Sequence, residues 1–268
     1  YYLRGEYVGS YGIYMAAVTF GNNIQLELIS PSGNRSLFRE YLETHGPGVQ
    51  HICIQHHRDY DGYLRLLGEM AVAGNPLVSV CRVDGEELCA FVGHDQRLGL
   101  SFELQYRPET YHLPDLPPPV LPADRTCNAV PLADALTGLT LAVWKMEPVV
   151  KLLEQQYGIG PWEITGPGFH GVQDGIYTWI RTAVCKALNL RLERFEPVHP
   201  KDKSDEVVRF LQKNGGNGVF SIHFTAPEGV EILKSKRRVL FGNEHACLLD
   251  FTNELGAYLK FADQIYEG

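Results

Sequence analysis

No stretch of this 268-residue chain approaches the ~20 consecutive apolar residues that a membrane-spanning helix needs, and no charged-then-apolar leader opens it. The six cysteines, Cys53, Cys81, Cys89, Cys127, Cys185 and Cys247, never fall in a C-x-x-C spacing. Buried free thiols in a cytoplasmic protein are the expectation. Basic charge is also scarce. The net charge is −8, and the one short basic run, Lys234 to Arg238, reads as a solvated face, which argues against a nucleic-acid surface. The glycine-rich turns Gly46-Pro47-Gly48 and Gly215-Gly216-Asn217-Gly218 lack the P-loop and dinucleotide-binding fingerprints, so no nucleotide site is read. With 44% hydrophobic and 21% charged residues, the composition is that of an ordinary globular chain, long enough for one large domain or two ordinary ones.

What is present is clearest between residues 24 and 54. Ile24 to Ile29 alternates Leu26 and Leu28 against Gln25 and Glu27, so Glu27 faces away from the leucines on a strand. Pro31-Ser32-Gly33-Asn34 breaks that strand, and Ser36 then reads as the N-cap of a short helix with Leu37, Tyr41 and Leu42 on its apolar side. His45 to Gly48 stops the helix, and a strand from Val49 to Gln55 carries His51. A carboxylate and an imidazole on neighbouring strands are the donors of a metal site.

The same order recurs along the chain. Strands are expected at Tyr1 to Val8 and Gly12 to Phe20, and a helix at Tyr60 to Ala73. Three strands follow, Leu77 to Val83, Glu87 to Val92 and Gly99 to Tyr106, with an Asp84-Gly85 hairpin between the first two and Glu103 on the last. Residues 113–122, LPDLPPPVLP, suit neither helix nor sheet and mark a connector within 113–135. Beyond it come a strand at Leu139 to Trp144, a helix at Glu147 to Tyr157, and strands at Gly175 to Thr182 and Leu188 to Phe195, the latter carrying Glu193. A Ser204-capped helix, a strand at Val219 to Phe224, and strands at His245 to Phe251 and Leu255 to Phe261 complete the order.

"ELISP…FREYLETHGPGVQHICI" and "LERFEP…VVRFLQKNGGNGVFSIHF" read as two copies of one design. His51 and Glu103 are 103 − 51 = 52 positions apart, and the same step back from Glu193 reaches Leu141. The unit is strand–helix–three strands. The fold class is α+β, with an N-terminal domain over 1–112 (a partial first module at 1–30 and a second at 48–107) and a C-terminal domain over 136–268.

A βαβββ module with His on its first strand and Glu on its last resembles the vicinal oxygen chelate superfamily, and the stretch "IQLELISP…FREYLETHGPGVQHICI" is similar to its glyoxalase I and methylmalonyl-CoA epimerase branch. The resemblance implies paired modules curled into an open barrel around one divalent metal ion: Zn, Mn, Co, Ni or Fe. It implies Glu27, His51 and Glu103 as ligands, with a fourth expected upstream of Tyr1, and a homodimer. In the second pair of modules it matches Leu141 and Ser221 to His51, and Tyr258 to Glu103, leaving Glu193 and a nearby His223. The C-terminal domain therefore reads as a degenerate support.

A metal at such a site lets a substrate carbonyl bind and acidifies the adjacent C–H, which a carboxylate then deprotonates. Glu27, Glu103 and Glu6 are the candidate bases, and His56, His57, His94 and His112 are read as loop or rim histidines. The functional expectation is a metal-dependent epimerase or isomerase acting on a small oxygenated substrate, a sugar-derived cyclitol ketone or an acyl-CoA. An Fe(II) extradiol-type dioxygenase and a non-catalytic small-molecule binding or resistance protein are the alternatives.

Overall fold

The computed structural model describes residues 1–22, 24–33, 35–57, 59–83, 86–95, 97–106, 133–171, 177–188, 190–226, 239–242 and 245–263. The chain opens on two short strands, β1 (Tyr2–Leu3) and β2 (Glu6–Tyr7), where a single strand is expected. Arg4 and Gly5, at φ 49° and 82°, turn the backbone between them. β3 (Ile13–Thr19) and β4 (Gln25–Pro31) pair antiparallel as a separate two-stranded sheet, with Glu27 opposite Ala17. Helix α1 (Leu37–His45) starts at Ser36, whose hydroxyl accepts from the Arg39 N–H at 3.1 Å. That side chain satisfies one of the helix's free amides.

β5 (His51–His57), α2 (Tyr60–Val72), β6 (Leu77–Val83), β7 (Glu86–Asp95) and β8 (Leu100–Tyr106) form one complete βαβββ module. Its sheet runs β2-β1-β6-β7-β8-β5, with β5 parallel to β8 and the other pairs antiparallel. In β8 the period of two sends Leu100, Phe102, Leu104 and Tyr106 into the main core, and Ser101, Glu103 and Gln105 to the opposite face. Each of those core side chains is worth roughly 1.5–3 kcal/mol when buried, which fixes the register and so holds Glu103 on its face.

The second half repeats the plan. β9 (Ala135–Ala142), α3 (Met146–Tyr157), β10 (Glu163–Gly171), β11 (Tyr177–Ala187) and β12 (Leu190–Pro197) make one module. Helix α4 (Glu206–Lys213) then leads to β13 (Gly218–Thr225), β14 (Val239–Gly242), β15 (Ala246–Phe251) and β16 (Ala257–Ala262). One eight-stranded sheet holds both, in the order β10-β11-β12-β9-β13-β16-β15-β14. The modules join through the antiparallel β9–β13 pair, and each first strand lies parallel to its own last strand.

Two of these strands were not expected. β10 reads EITGPGFHG, whose glycines and proline look like a turn in sequence, and β14 has only four residues. The α4 cap is Asp205 rather than Ser204: its carboxylate accepts from Val207 N (2.8 Å) and Val208 N (3.2 Å). The two large sheets share one continuous apolar cluster, from Tyr63 and Leu104 to Leu139 and Phe261. The connector at 113–122, the Asp84-Gly85 turn and the Lys234 to Arg238 run lie outside the described residues. No helix among the described residues is long and apolar enough to cross a membrane.

Candidate metal centre

His51 opens β5, and its parallel neighbour β8 presents Glu103 on the same face. The His51 Nε2 and Glu103 Oε2 are 3.4 Å apart, with the side chains only 14% and 7% exposed. The other imidazole nitrogen, Nδ1, lies 2.7 Å from Gln50 Oε1. An amide oxygen accepts only, so this bond assigns the proton to Nδ1 and leaves Nε2 bare. Gln50 is itself buried, and its amide nitrogen donates to Ser101 Oγ at 3.4 Å. Burial holds the His51 pKa down at about 4, so the ring is neutral at pH 7.

A bare nitrogen facing a carboxylate oxygen is repulsive unless a cation or proton lies between them. Two donors each ~2.1 Å from one ion sit roughly 3 to 3.5 Å apart, so the 3.4 Å gap matches a shared ion. The second carboxylate oxygen, Oε1, accepts from the Gln105 amide at 2.9 Å. Both groups thus have the outer partners that fix ligand tautomer and orientation. Phe91 meets the His51 ring edge-on at 5.2 Å and Phe38, from α1, lies at 5.9 Å. Together they wall the pair on its apolar side.

The remaining expected residues stand elsewhere. Glu27 sits on the separate β3–β4 hairpin, opposite Ala17. Glu6, 69% exposed, pairs with Arg35 at 3.1 Å. Among the described residues no three His, Cys, Asp or Glu side chains converge as a metal site. The pair therefore fits as two donors, and the structure does not bring Glu27 in as a third. The side chains of His56, His57 and His94, and the whole of His112, lie outside the described residues. Sequence reasoning passed over Gln50 and Gln105; their signal was adjacency to His51 and the i+2 spacing from Glu103 along one strand face.

The equivalent face of the second half is built differently. Glu193 pairs in register with Thr140, so Leu141, the residue reached by counting, points into the core instead. In β5 the imidazole stands two residues before the one beside the glutamate; in β9 that place is Gly138. A Cβ there would collide with the Arg191 carbonyl and press on His223 Nδ1 at 3.1 Å. Thr140 Oγ1 donates to Glu193 Oε2 at 2.9 Å and lies 2.7 Å from His223 Nε2, which is also 3.0 Å from Ser221 Oγ. With the Thr140 proton given to Glu193, His223 Nε2–H donates to Thr140, the reverse of the His51 arrangement.

Lys260 stands opposite His223 in the β13–β16 register, while Tyr258, opposite Ser221, bonds Glu206. Burial alone would raise the Glu193 carboxyl, but Lys260, His223 and Arg191 hold it at about 2, and burial lowers His223 to about 3. Cationic side chains occupy the charge role here.

No family model and no curated protein matches the chain. Among solved structures, an engineered variant of 4-hydroxymandelate synthase from Streptomyces coelicolor superposes with a TM-score of 0.55 at 13% identity, over 92% of this chain and 79% of that one. Methylmalonyl-CoA epimerase from Mycobacterium tuberculosis aligns over 49% of this chain and 88% of its own, with a TM-score of 0.36 at 15% identity. A hypothetical protein of Bacillus halodurans C-125 does so over 50% and 96%, with a TM-score of 0.34 at 15% identity. The match across both halves, together with the module topology, defines the class: a mixed α+β chain of the glyoxalase, or vicinal oxygen chelate, fold.

Proposed function

We propose that the chain is a metal-dependent epimerase or isomerase of the vicinal oxygen chelate kind, whose N-terminal half holds one divalent ion at His51 and Glu103. The observation that carries this reading is the bare His51 Nε2 aimed at Glu103 Oε2. A divalent ion held there supplies Lewis acidity toward a substrate carbonyl oxygen. Gln50 keeps the imidazole in its ligating tautomer, and Gln105 holds Glu103 by one oxygen. Phe38 and Phe91 keep water from one side. Glu103 is the proposed base: once its Oε2 is no longer held as a ligand, that oxygen would take the proton next to the carbonyl and return it to the opposite face of the carbon, since Glu6 is tied to Arg35 at the surface.

The substrate class is a small oxygenated carbonyl compound, and the second half supports the first through the shared core. The test is exchange of the C–H beside the carbonyl in deuterated buffer across a panel of hydroxyketones and acyl thioesters, with added Zn, Mn, Co or Ni. Metal-stimulated exchange that Glu103→Gln abolishes supports the reading. Exchange unaffected by Glu103→Gln overturns the assignment of the base. Iron with oxygen consumption and no exchange assigns the pair to an oxygenase instead.

A further inference from the structure

Cys81 on β6 and Cys89 on β7 stand directly opposite one another in an antiparallel ladder, and both are free thiols. Residues opposed in such a ladder have Cα atoms ~4.5–5.5 Å apart, inside the range a disulfide spans without backbone movement. The Cys89 thiol and the Tyr11 hydroxyl both act on Cys81 at short range and lower its pKa. The ladder shifts register just beyond the pair, between Cys81 and Arg82, so its end has the local freedom of a bulge. Cys89 also faces Gln105 across the next pair, two register steps from Phe91 and Glu103. None of this chemistry is used by the proposed metal centre.

We infer that Cys81 and Cys89 form a redox-sensitive dithiol, a site of reversible oxidation by hydrogen peroxide to an intramolecular disulfide. Cys81 is the attacking sulfur. Its thiol is held below the ordinary thiol range by the neighbouring Cys89 thiol and Tyr11 hydroxyl, against burial, whereas Cys89 is pushed up by the neighbouring Cys81 and by burial. The Cys81 thiolate attacks one peroxide oxygen; the S–O bond forms, the O–O bond breaks, and the departing hydroxide takes up the proton Cys81 released. The Cys89 sulfur then attacks the sulfenic sulfur, forming the S–S bond, while the S–O bond breaks and the hydroxyl leaves with the Cys89 proton as water. Two electrons pass from the sulfurs to the peroxide, which ends as two waters.

The experiment treats the full-length chain with hydrogen peroxide, quenches with catalase, then denatures, alkylates and maps the cysteines by mass spectrometry. The expected result is joint loss of Cys81 and Cys89 alkylation, a cross-linked peptide containing both, and full recovery with dithiothreitol. Cys81 is expected to be lost on the order of tenfold faster than buried Cys247. Cys89→Ser should stop the reaction at a Cys81 sulfenic acid that dimedone traps, and Cys81→Ser should leave Cys89 alkylatable. The wild-type chain carries the primary readout, so a variant that fails to fold does not remove the test. Both thiols still alkylatable after peroxide, a bridge joining other cysteines, or loss that dithiothreitol does not reverse overturns the inference. The readout needs no bound metal, so it stands or falls apart from the metal reading.

Discussion

His223 should make the chain acid-labile, and the size of the effect follows from its burial. The side chain is 7% exposed, packed among Thr140, Ser221 and Glu193. Burial moves its pKa from the ordinary 6.5 to about 3, aided by Lys260 and Arg191 and opposed by Glu193. The folded value is depressed, so the unfolded chain binds this proton first. The stabilising contribution is complete above pH 6.5 and is lost as pH falls toward 3. The gap from 6.5 to about 3, at about 1.4 kcal/mol per pH unit, is roughly 5 kcal/mol. Urea unfolding of wild type and His223→Gln at half-unit steps from pH 7 to pH 4 should show a wild-type stability slope steeper by about 1.4 kcal/mol per pH unit below 6. Equal slopes would refute the reasoning, whatever the variant's absolute stability.

Three further outcomes follow from the same structure. Arg194 is buried over the Trp162 ring at 4.7 Å, with a burial-lowered pKa of about 9, and its Nε is without a hydrogen-bond partner among the described residues. Arg194→Met should leave thermal stability within about 1 kcal/mol of wild type or raise it; a loss beyond about 3 kcal/mol would mean the charge is well compensated. Asp205→Ala should cost about 1–2 kcal/mol in chemical denaturation and Ser204→Ala less than about 0.5 kcal/mol, since Asp205 holds the amides that start α4. Gly138→Ala should cost about 1–3 kcal/mol, because the added methyl meets the Arg191 carbonyl; a neutral result would show that β9 and β12 separate freely.

Much of this arrangement was legible in sequence because it rests on period-two patterning. LSFELQY places Glu103 opposite its leucines, and the repeat of helix, glycine turn and strand marks His51 in the sequence itself. Where counting residues replaced pairing, it slipped. The module step from Glu193 reaches Leu141, whereas the place of His51 falls at Gly138, two residues before the Thr140 that faces Glu193, and Tyr258 stands for Glu103 in the count where Lys260 is the residue that faces His223. Register shifts between Val219 and Ser221 and between His223 and Phe224 displace the ladder locally, and no sequence pattern announces them. Glu27 lies on the expected strand, yet among the described residues β4 pairs with β3 alone, so strand membership does not decide its neighbours. Cys81 and Cys89 read as inert buried thiols because their opposition is a property of the hairpin register.

Metal binding by the full-length chain tests the central claim most directly, measured by titration with Zn or Co and by metal content after desalting. The account predicts about one ion per chain, with affinity lowered at least tenfold by His51→Ala and by Glu103→Gln, less by Gln50→Ala, and least by Glu27→Ala. His223→Gln should leave it unchanged. No uptake of any divalent metal, or uptake that His51→Ala leaves intact, would contradict it.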